Sequence, residues 1–217
     1  MCNATIRGYE RGDREAVFSI AADTAFFGEP VEHYLDDRRL FCDALYRYYT
    51  DLEPEHAWVA ATGNALAGFL VGCVDTRTQR RLWVRQILPR LAAGMLSGRY
   101  VLGRRTWRHA GRALRASLTS RAKIDPARYP AHFHLNVLAD WRGQGIGRRL
   151  LQAFLSQLRK SGVPGVHLNT TTRNVAAGRL YESMGFVPLD IRPAPQWSDL
   201  IHDDVRSVTY ALDLRER

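Results

Sequence analysis

Two histidines separated by one residue, His132 and His134, precede a glycine-rich, arginine-flanked stretch, W-R-G-Q-G-I-G-R-R, whose glycines fall at 143, 145 and 147. In an unbroken strand His132, His134 and Asn136 share one face, because side chains alternate with period two. Histidine can take up a proton near neutral pH, directly or through a water. The glycine stretch offers a different chemistry. A chain that turns sharply from strand to helix aims several backbone N–H groups at one spot, which suits a phosphate or pyrophosphate. Glycine lets the backbone approach oxygens closely and take positive φ. Arg142, Arg148 and Arg149 bring positive charge to the same place.

Several familiar sites do not fit these residues. G-x-x-x-x-G-K-[ST] is absent, so the turn is not a Walker A loop. The Rossmann spacing fails because position 148 is arginine, and His167, Leu168, Asn169 and Thr170 stand where an acidic residue should end the next strand. His132 and His134 with His167 as a third ligand lack a fourth, and no metal is expected. Cys42 and Cys73 have no sequence cue that pairs either with a base, and G-x-S-x-G is absent; both thiols read as buried and structural.

The elements that must position these groups follow from periodicity. Apolar AHFHLNVL reads as a strand. Ile146, Leu150, Leu151, Phe154, Leu155 and Leu158 recur at helical spacing to about Lys160, where Ser161-Gly162 stops the helix. VHLNT is another strand, and VAAGRLYESM a helix closed by Gly185. Phe186-Val187 opens a further strand, and VRSVTYALDL alternates as the last. Earlier, residues 5–9 predict a short strand, Asp13 an N-cap for a helix to about Ala22, and residues 31–50 a second helix carrying His33 and the aromatic group Tyr46, Tyr48 and Tyr49. Ala57–Ala61 and Leu66–Val74 flank Thr62-Gly63-Asn64 as a hairpin. The expected fold class is α/β (α+β): a mixed central sheet flanked by helices, in one domain over residues 1–217.

The net charge of +9 is uneven. Residues 77–128 hold 14 basic residues against one acidic residue, Asp125, a net of +13 that leaves −4 for the rest. This segment is too apolar for a disordered tail and predicts a basic helical insert of two or three helices, broken near Pro89, Gly98 and Gly103, with His109 on its surface. Three readings stay open for it: a cap on the rest of the chain, a surface for nucleic acid or an anionic partner or lipid, or an oligomer contact such as a homodimer. The three cysteines, Cys2 included, show no pairing pattern, which suggests a reducing, cytoplasmic setting. No apolar run reaches the roughly 18 residues of a transmembrane helix, and the N-terminus carries no signal-peptide pattern.

R-G-Q-G-I-G followed by N-x-x-A-x-x-x-Y-x-x-x-G-F, on Asn174, Ala177, Tyr181, Gly185 and Phe186, resembles the GNAT family of N-acetyltransferases. The resemblance is carried by residues 131–188; residues 5–74 and 203–214 fit the layout only loosely. YPAHFHLNVL before the turn is further similar to bacterial acetyltransferase-like relatives of the O-GlcNAcase C-terminal domain. The resemblance implies a GNAT-like fold and acetyl-CoA as co-substrate. It implies transfer of the acetyl group to a primary amine, of a small molecule or of a peptide or protein, by direct attack.

It also implies roles for residues. The backbone at Val137 and Leu138 would hold the pantetheine arm and polarise the thioester carbonyl. The turn Arg142, Gly143, Gln144, Gly145, Ile146, Gly147 and Arg148 would bind the pyrophosphate. Asn174 would contact the coenzyme arm. Tyr181 would donate a proton or hydrogen bond to the leaving thiolate, and His134 or His132 would serve as base or proton path. The O-GlcNAcase-related proteins place Asp where this chain has Asn136, which cannot pair with an ammonium by charge. That departure motivates an alternative, a non-catalytic acyl-CoA-binding module. A further alternative is a protein- or ribosome-directed acetyltransferase that uses the basic insert as its contact.

Overall fold

The computed structural model describes residues 4–119, 124–197, 200–201 and 203–215. Cys2, residues 120–123 of the basic segment and the Leu118 side chain lie outside the described residues. Seven strands form one mixed sheet: β1 (Thr5–Gly8), β2 (Ala57–Thr62), β3 (Ala65–Cys73), β4 (Ala131–Val137), β5 (Gly165–Thr171), β6 (Val187–Pro193) and β7 (Arg206–Asp213), in spatial order β1-β2-β3-β4-β5-β7-β6. Only β4 and β5 pair in parallel, and they do so at their first residues alone, Ala131 with Val166 and His132 with His167. Beyond that point the sheet opens into a V.

Each face of the sheet has its own core. One side carries α1 (Arg14–Asp23), α2 (Arg38–Leu45), α3 (Arg47–Asp51), α4 (Thr76–Leu82) and α5 (Leu88–Leu96), with Val17, Phe41, Tyr48, Phe69, Ile87 and Leu91 buried between them. The other carries α7 (Ile146–Lys160) and α8 (Val175–Ser183), with Leu70, Phe133, Leu150, Phe154, Leu158 and Tyr181 in the core. Gly68 lets β3 lie close to β4: a Cβ there would fall 2.6 Å from the Asn136 carbonyl oxygen. α6 (Arg104–Thr119) is anchored at its start, where Asp36 accepts from the Thr106 N–H (2.9 Å) and hydroxyl (2.9 Å).

Four local expectations change. Residues 31–50 do not form one helix: a 3-10 turn at Val31–His33 precedes α2, which Asp37 caps through the Leu40 N–H (2.7 Å). Asp13 precedes α1 but makes no cap bond there; its carboxylate binds Arg7 (2.7 and 2.8 Å) and the Glu10 N–H (2.8 Å). Pro89 does not break the basic segment. α4 passes through a π turn at Trp83–Ile87 into α5 without interruption, and the proline follows directly after the π turn. His109 turns inward between Tyr34 (4.6 Å between ring centroids) and Trp197 (5.2 Å).

Candidate active site

The V between β4 and β5 is where the chemistry-bearing residues collect. The antiparallel register of β4 against β3 runs unbroken from Cys73–His132 to Gly68–Val137, and the Leu138 N–H continues it by donating to Ala67 (3.0 Å). Residues 132, 134, 136 and 138 therefore spend their backbone polar groups on β3. Those of Phe133, Leu135 and Val137 point into the gap that β5 leaves. This removes Leu138 as a donor inside the cleft; its N–H is already used.

At the open end the chain makes a 3-10 turn at Ala139–Trp141, then enters α7 through Gly143 (φ 76°) and Gly145 (φ 75°), both left-handed. The Arg142 N–H is taken by the Ala139 carbonyl (3.1 Å), so it does not join the anion-binding amides. No described residue accepts a bond from the backbone N–H groups of residues 143 to 148. They are the orphan donors of a helix start, gathered at its positive end.

A cavity of about 420 Å³ fills the V. Of the residues expected in a coenzyme site, Val137, Arg142, Gly143, Gly145, Ile146, Gly147, Arg148, Asn174 and Tyr181 line it. Leu138 and Gln144 do not; Gln144 turns its amide to the Asp140 carbonyl (3.1 Å). Among the described residues the lining contains no aspartate or glutamate. Arg142 lies across the mouth: its Nε donates to the Val137 carbonyl (3.1 Å), and its guanidinium sits over Gly28. Arg148 is held from behind by Ser183 (2.7 Å).

Tyr181 is 5% exposed and packs on Phe133, Phe186 and Tyr210, yet no described residue hydrogen-bonds its hydroxyl. Burial pushes its phenol pKa well above the ordinary range, so the group keeps its proton. Asn174 starts α8 without using its side chain as a cap. Asn136 donates from Nδ2 to the Thr24 hydroxyl (2.7 Å), tying β4 to the end of α1.

The two histidines separate in role. His132 is locked. The Thr76 hydroxyl donates to the Pro130 carbonyl (2.7 Å), so at 2.7 Å from His132 Nδ1 it accepts. Nε2 is then the unprotonated nitrogen and accepts a hydrogen bond from the Tyr49 hydroxyl at 2.6 Å. Burial, with His134 and His167 adjacent, drives its pKa well below the usual value. Both nitrogens of His132 are engaged within the protein. Cys73 lies 3.2 Å from its Nδ1; burial pushes that thiol up to about 12, which makes it inert.

His134 faces the same side of the sheet with no hydrogen-bond partner among the described residues. It lines a second cavity of about 200 Å³ with Tyr49, Gln79, Arg80 and Trp83. Its ring is open to that cavity, but the protein around it still displaces enough water to push its pKa down to about 4. No cluster of three metal-binding side chains occurs among the described residues.

Sequence reasoning missed Thr24, Phe27, Gly28 and Leu180 in the first cavity, and Gln79, Arg80 and Trp83 as neighbours of His134. Leu180 carried a signal, since it adjoins Tyr181 in the helix. The others reach the site only through the fold.

A family model described as an acetyltransferase (GNAT) domain matches residues 109–188. The chain is 47% identical over 67 residues to a mycothiol acetyltransferase of Nocardiopsis dassonvillei; that match covers 30% of this chain and 20% of the relative, so the chain corresponds to a minor part of that protein. The crystal structure of SsHAT superposes with a TM-score of 0.73 at 28% identity, covering 98% of both chains. A Salmonella typhimurium protein, yncA, solved with its cofactor acetyl-CoA, shares the fold at a TM-score of 0.60 and 15% identity, over 99% of this chain and 96% of that one.

Proposed function

The chain has the GNAT acetyltransferase fold and is homologous to that family, and from that premise we propose that it transfers the acetyl group of acetyl-CoA to a primary amine by direct attack. The observation that carries the reading is the partnerless Tyr181 hydroxyl in the same cavity as the unpaired amides of residues 143–148. An anion-binding turn and a proton donor are thereby offered to one phosphate-bearing ligand. Bound acetyl-CoA supplies an activated acyl carbon and a thiolate leaving group.

The residues divide the work as follows. The amides from Gly143 to Arg148, aided by Arg142 and Arg148, hold the pyrophosphate. The inward polar groups of Leu135 and Val137 hold the pantetheine arm, for which Arg142 releases the Val137 carbonyl; Asn174 contacts the same arm. The Val137 N–H is the donor placed to polarise the carbonyl. Tyr181, kept protonated by burial, gives its proton or a hydrogen bond to the departing sulfur. His134 is neutral at pH 7 and accepts a proton from the nitrogen. A weak base suffices there, because an amine nitrogen that has bonded to the acyl carbon is far more acidic than a free ammonium.

The acceptor is an amine of a small molecule or a peptide. Gln79, Arg80 and Trp83 of the basic segment cover the His134 side of the sheet; the free, buried Cys42 and Cys73 fit a reducing cytoplasmic setting. Among the described residues no helix is long and apolar enough to cross a membrane. One observation favours a second reading, a non-catalytic acyl-CoA-binding module: uncharged Asn136 is tied to Thr24.

Thiol release from acetyl-CoA over a panel of amines tests both. Amine-dependent release, lost in Tyr181→Phe, supports transfer. Tight coenzyme binding with no release against any amine would overturn it in favour of the binding module.

A further inference from the structure

The cavity beside His134 has a chemical bias that the acetyl-transfer reading does not itself supply. α4 is docked end-on against β4: the Thr76 N–H donates to the Pro130 carbonyl (2.8 Å), and its hydroxyl meets His132. Gln79, Arg80 and Trp83 follow Thr76 at i+3, i+4 and i+7, so helical geometry carries all three onto one face, above His134. The indole of Trp83 is fixed by its N–H bond to the Ala44 carbonyl (2.7 Å), and the π turn that begins there seats the ring against α2.

The charge of this cavity is one-sided. Arg80 is its only formally charged lining residue, and no ion pair joins Arg80 to another described residue. Asp43, next to Ala44 in the chain, turns away to Arg47 (2.8 Å) and the Tyr100 hydroxyl (2.8 Å). The coenzyme cavity likewise holds no carboxylate. Among the described residues neither cavity offers a carboxylate to pair with the ammonium of an acceptor or to reward a polycation. A guanidinium and an indole can instead reward an anionic group and an apolar or aromatic body.

We propose that the acceptor is a small amine that also carries a carboxylate, an amino-acid-like molecule with an apolar or aromatic side group, and that Arg80 is the residue that selects it. The carboxylate pairs with Arg80, the side group packs on Trp83 and Leu45, and the amine reaches His134. A volume of about 200 Å³, open on one side, suits a single amino acid rather than a folded partner. This inference rests on the acetyl-transfer reading for its chemistry, and its binding arm stands without turnover.

The experiment compares matched acceptors, phenylalanine and its decarboxylated twin phenylethylamine, each rate corrected for the free-base fraction. In the wild-type protein kcat/KM favours phenylalanine by about tenfold or more, the scale of one charge-assisted hydrogen bond. Arg80→Gln removes that preference, mainly through KM for phenylalanine, and leaves phenylethylamine unchanged; Arg80→Lys restores part of it. Equal use of the two amines, or a preference that Arg80→Gln does not move, overturns the proposal. Calorimetry with the acetylated products on CoA-loaded protein provides the second arm. N-acetylphenylalanine binds about tenfold more tightly than N-acetylphenylethylamine, and Arg80→Gln abolishes the difference. Equal binding, or none, overturns the proposal. Absence of turnover alongside carboxylate-dependent binding overturns the transfer reading and leaves the selectivity standing.

Discussion

On one side of β4 the candidate site is built from backbone: unpaired amides at the start of α7, the inward polar groups of Leu135 and Val137, and glycines at positive φ. On the other it is built from side chains: His134, Tyr49, Arg80 and Trp83, brought from β4, α3, α4 and the π turn. The difference matters because a backbone site tolerates few sequences and recognises a generic group such as pyrophosphate. A side-chain site can be rewritten residue by residue and so can follow a changing acceptor. Variants on the coenzyme side should abolish binding, whereas those on the His134 side should change rates and preferences while coenzyme binding persists.

The largest effect is expected from Gly145→Val. A valine at φ 75° is strained by about 1–2 kcal/mol, and its side chain projects where the turn must admit phosphate oxygens. Coenzyme affinity should fall by about a hundredfold in calorimetric titration. Gly63→Val is the control, since Gly63 also has positive φ (60°) but lies in the β2–β3 hairpin. It should lower Tm and leave the affinity alone. Equal loss of affinity in both would mean that the turn acts only through global stability.

Tyr181→Phe comes next. The hydroxyl has no protein partner, so Tm should stay within about 1 °C and coenzyme affinity within threefold. Turnover should drop by about a hundredfold, the usual scale for a lost general acid. His134→Ala should lower turnover by roughly ten- to a hundredfold with a similarly small change in Tm. His132→Ala should do the reverse: it strands the Tyr49 hydroxyl, removes the donor to the Thr76 hydroxyl and costs about 2–4 kcal/mol, seen as a drop in Tm on the order of 5–15 °C. If His132→Ala were the catalytic lesion and His134→Ala the structural one, the separation of the two histidines would be wrong.

How much of this is legible in the sequence follows the same division. The glycine turn, the helix after it and the Asn174–Tyr181 pair are local, and their spacing alone carries them into one cavity. The shared face of His132, His134 and Asn136 also follows from strand parity, because β4 has no bulge against β3. What separates the two histidines comes from the whole fold. Tyr49 lies 83 residues from His132 and Thr76 lies 56 from it, and no local pattern announces either bond. Arg80 and Trp83 were hidden for another reason. A segment with 14 basic residues makes each arginine look like part of a solvated surface, and Pro89 looks like a break until a π turn lets the helix run up to it.

The smallest expected effect concerns pH and stability. His109, His132, His134 and His167 all have lowered pKa values, chiefly by burial; His109 and His134 fall to about 4. A histidine lowered in the folded state binds its proton first in the unfolded chain, from about pH 6.5 downward. Stability is therefore complete above that value and is lost as pH falls towards the folded pKa. His134 opens to its cavity and contributes little after solvent screening. The enclosed His109 should cost on the order of 2 kcal/mol between pH 7 and 5, a Tm decrease of roughly 4–8 °C, and His132 and His167 add to the loss in the same direction. His109→Phe keeps the stack between Tyr34 and Trp197, removes the titrating group whose Nδ1 is buried without a partner, and should make that acid limb shallower. Turnover should be indifferent to the same substitution, because His109 touches neither cavity. A Tm that is flat from pH 7 to 5, or one that rises on acidification, would mean that the enclosed histidines are hydrated in solution.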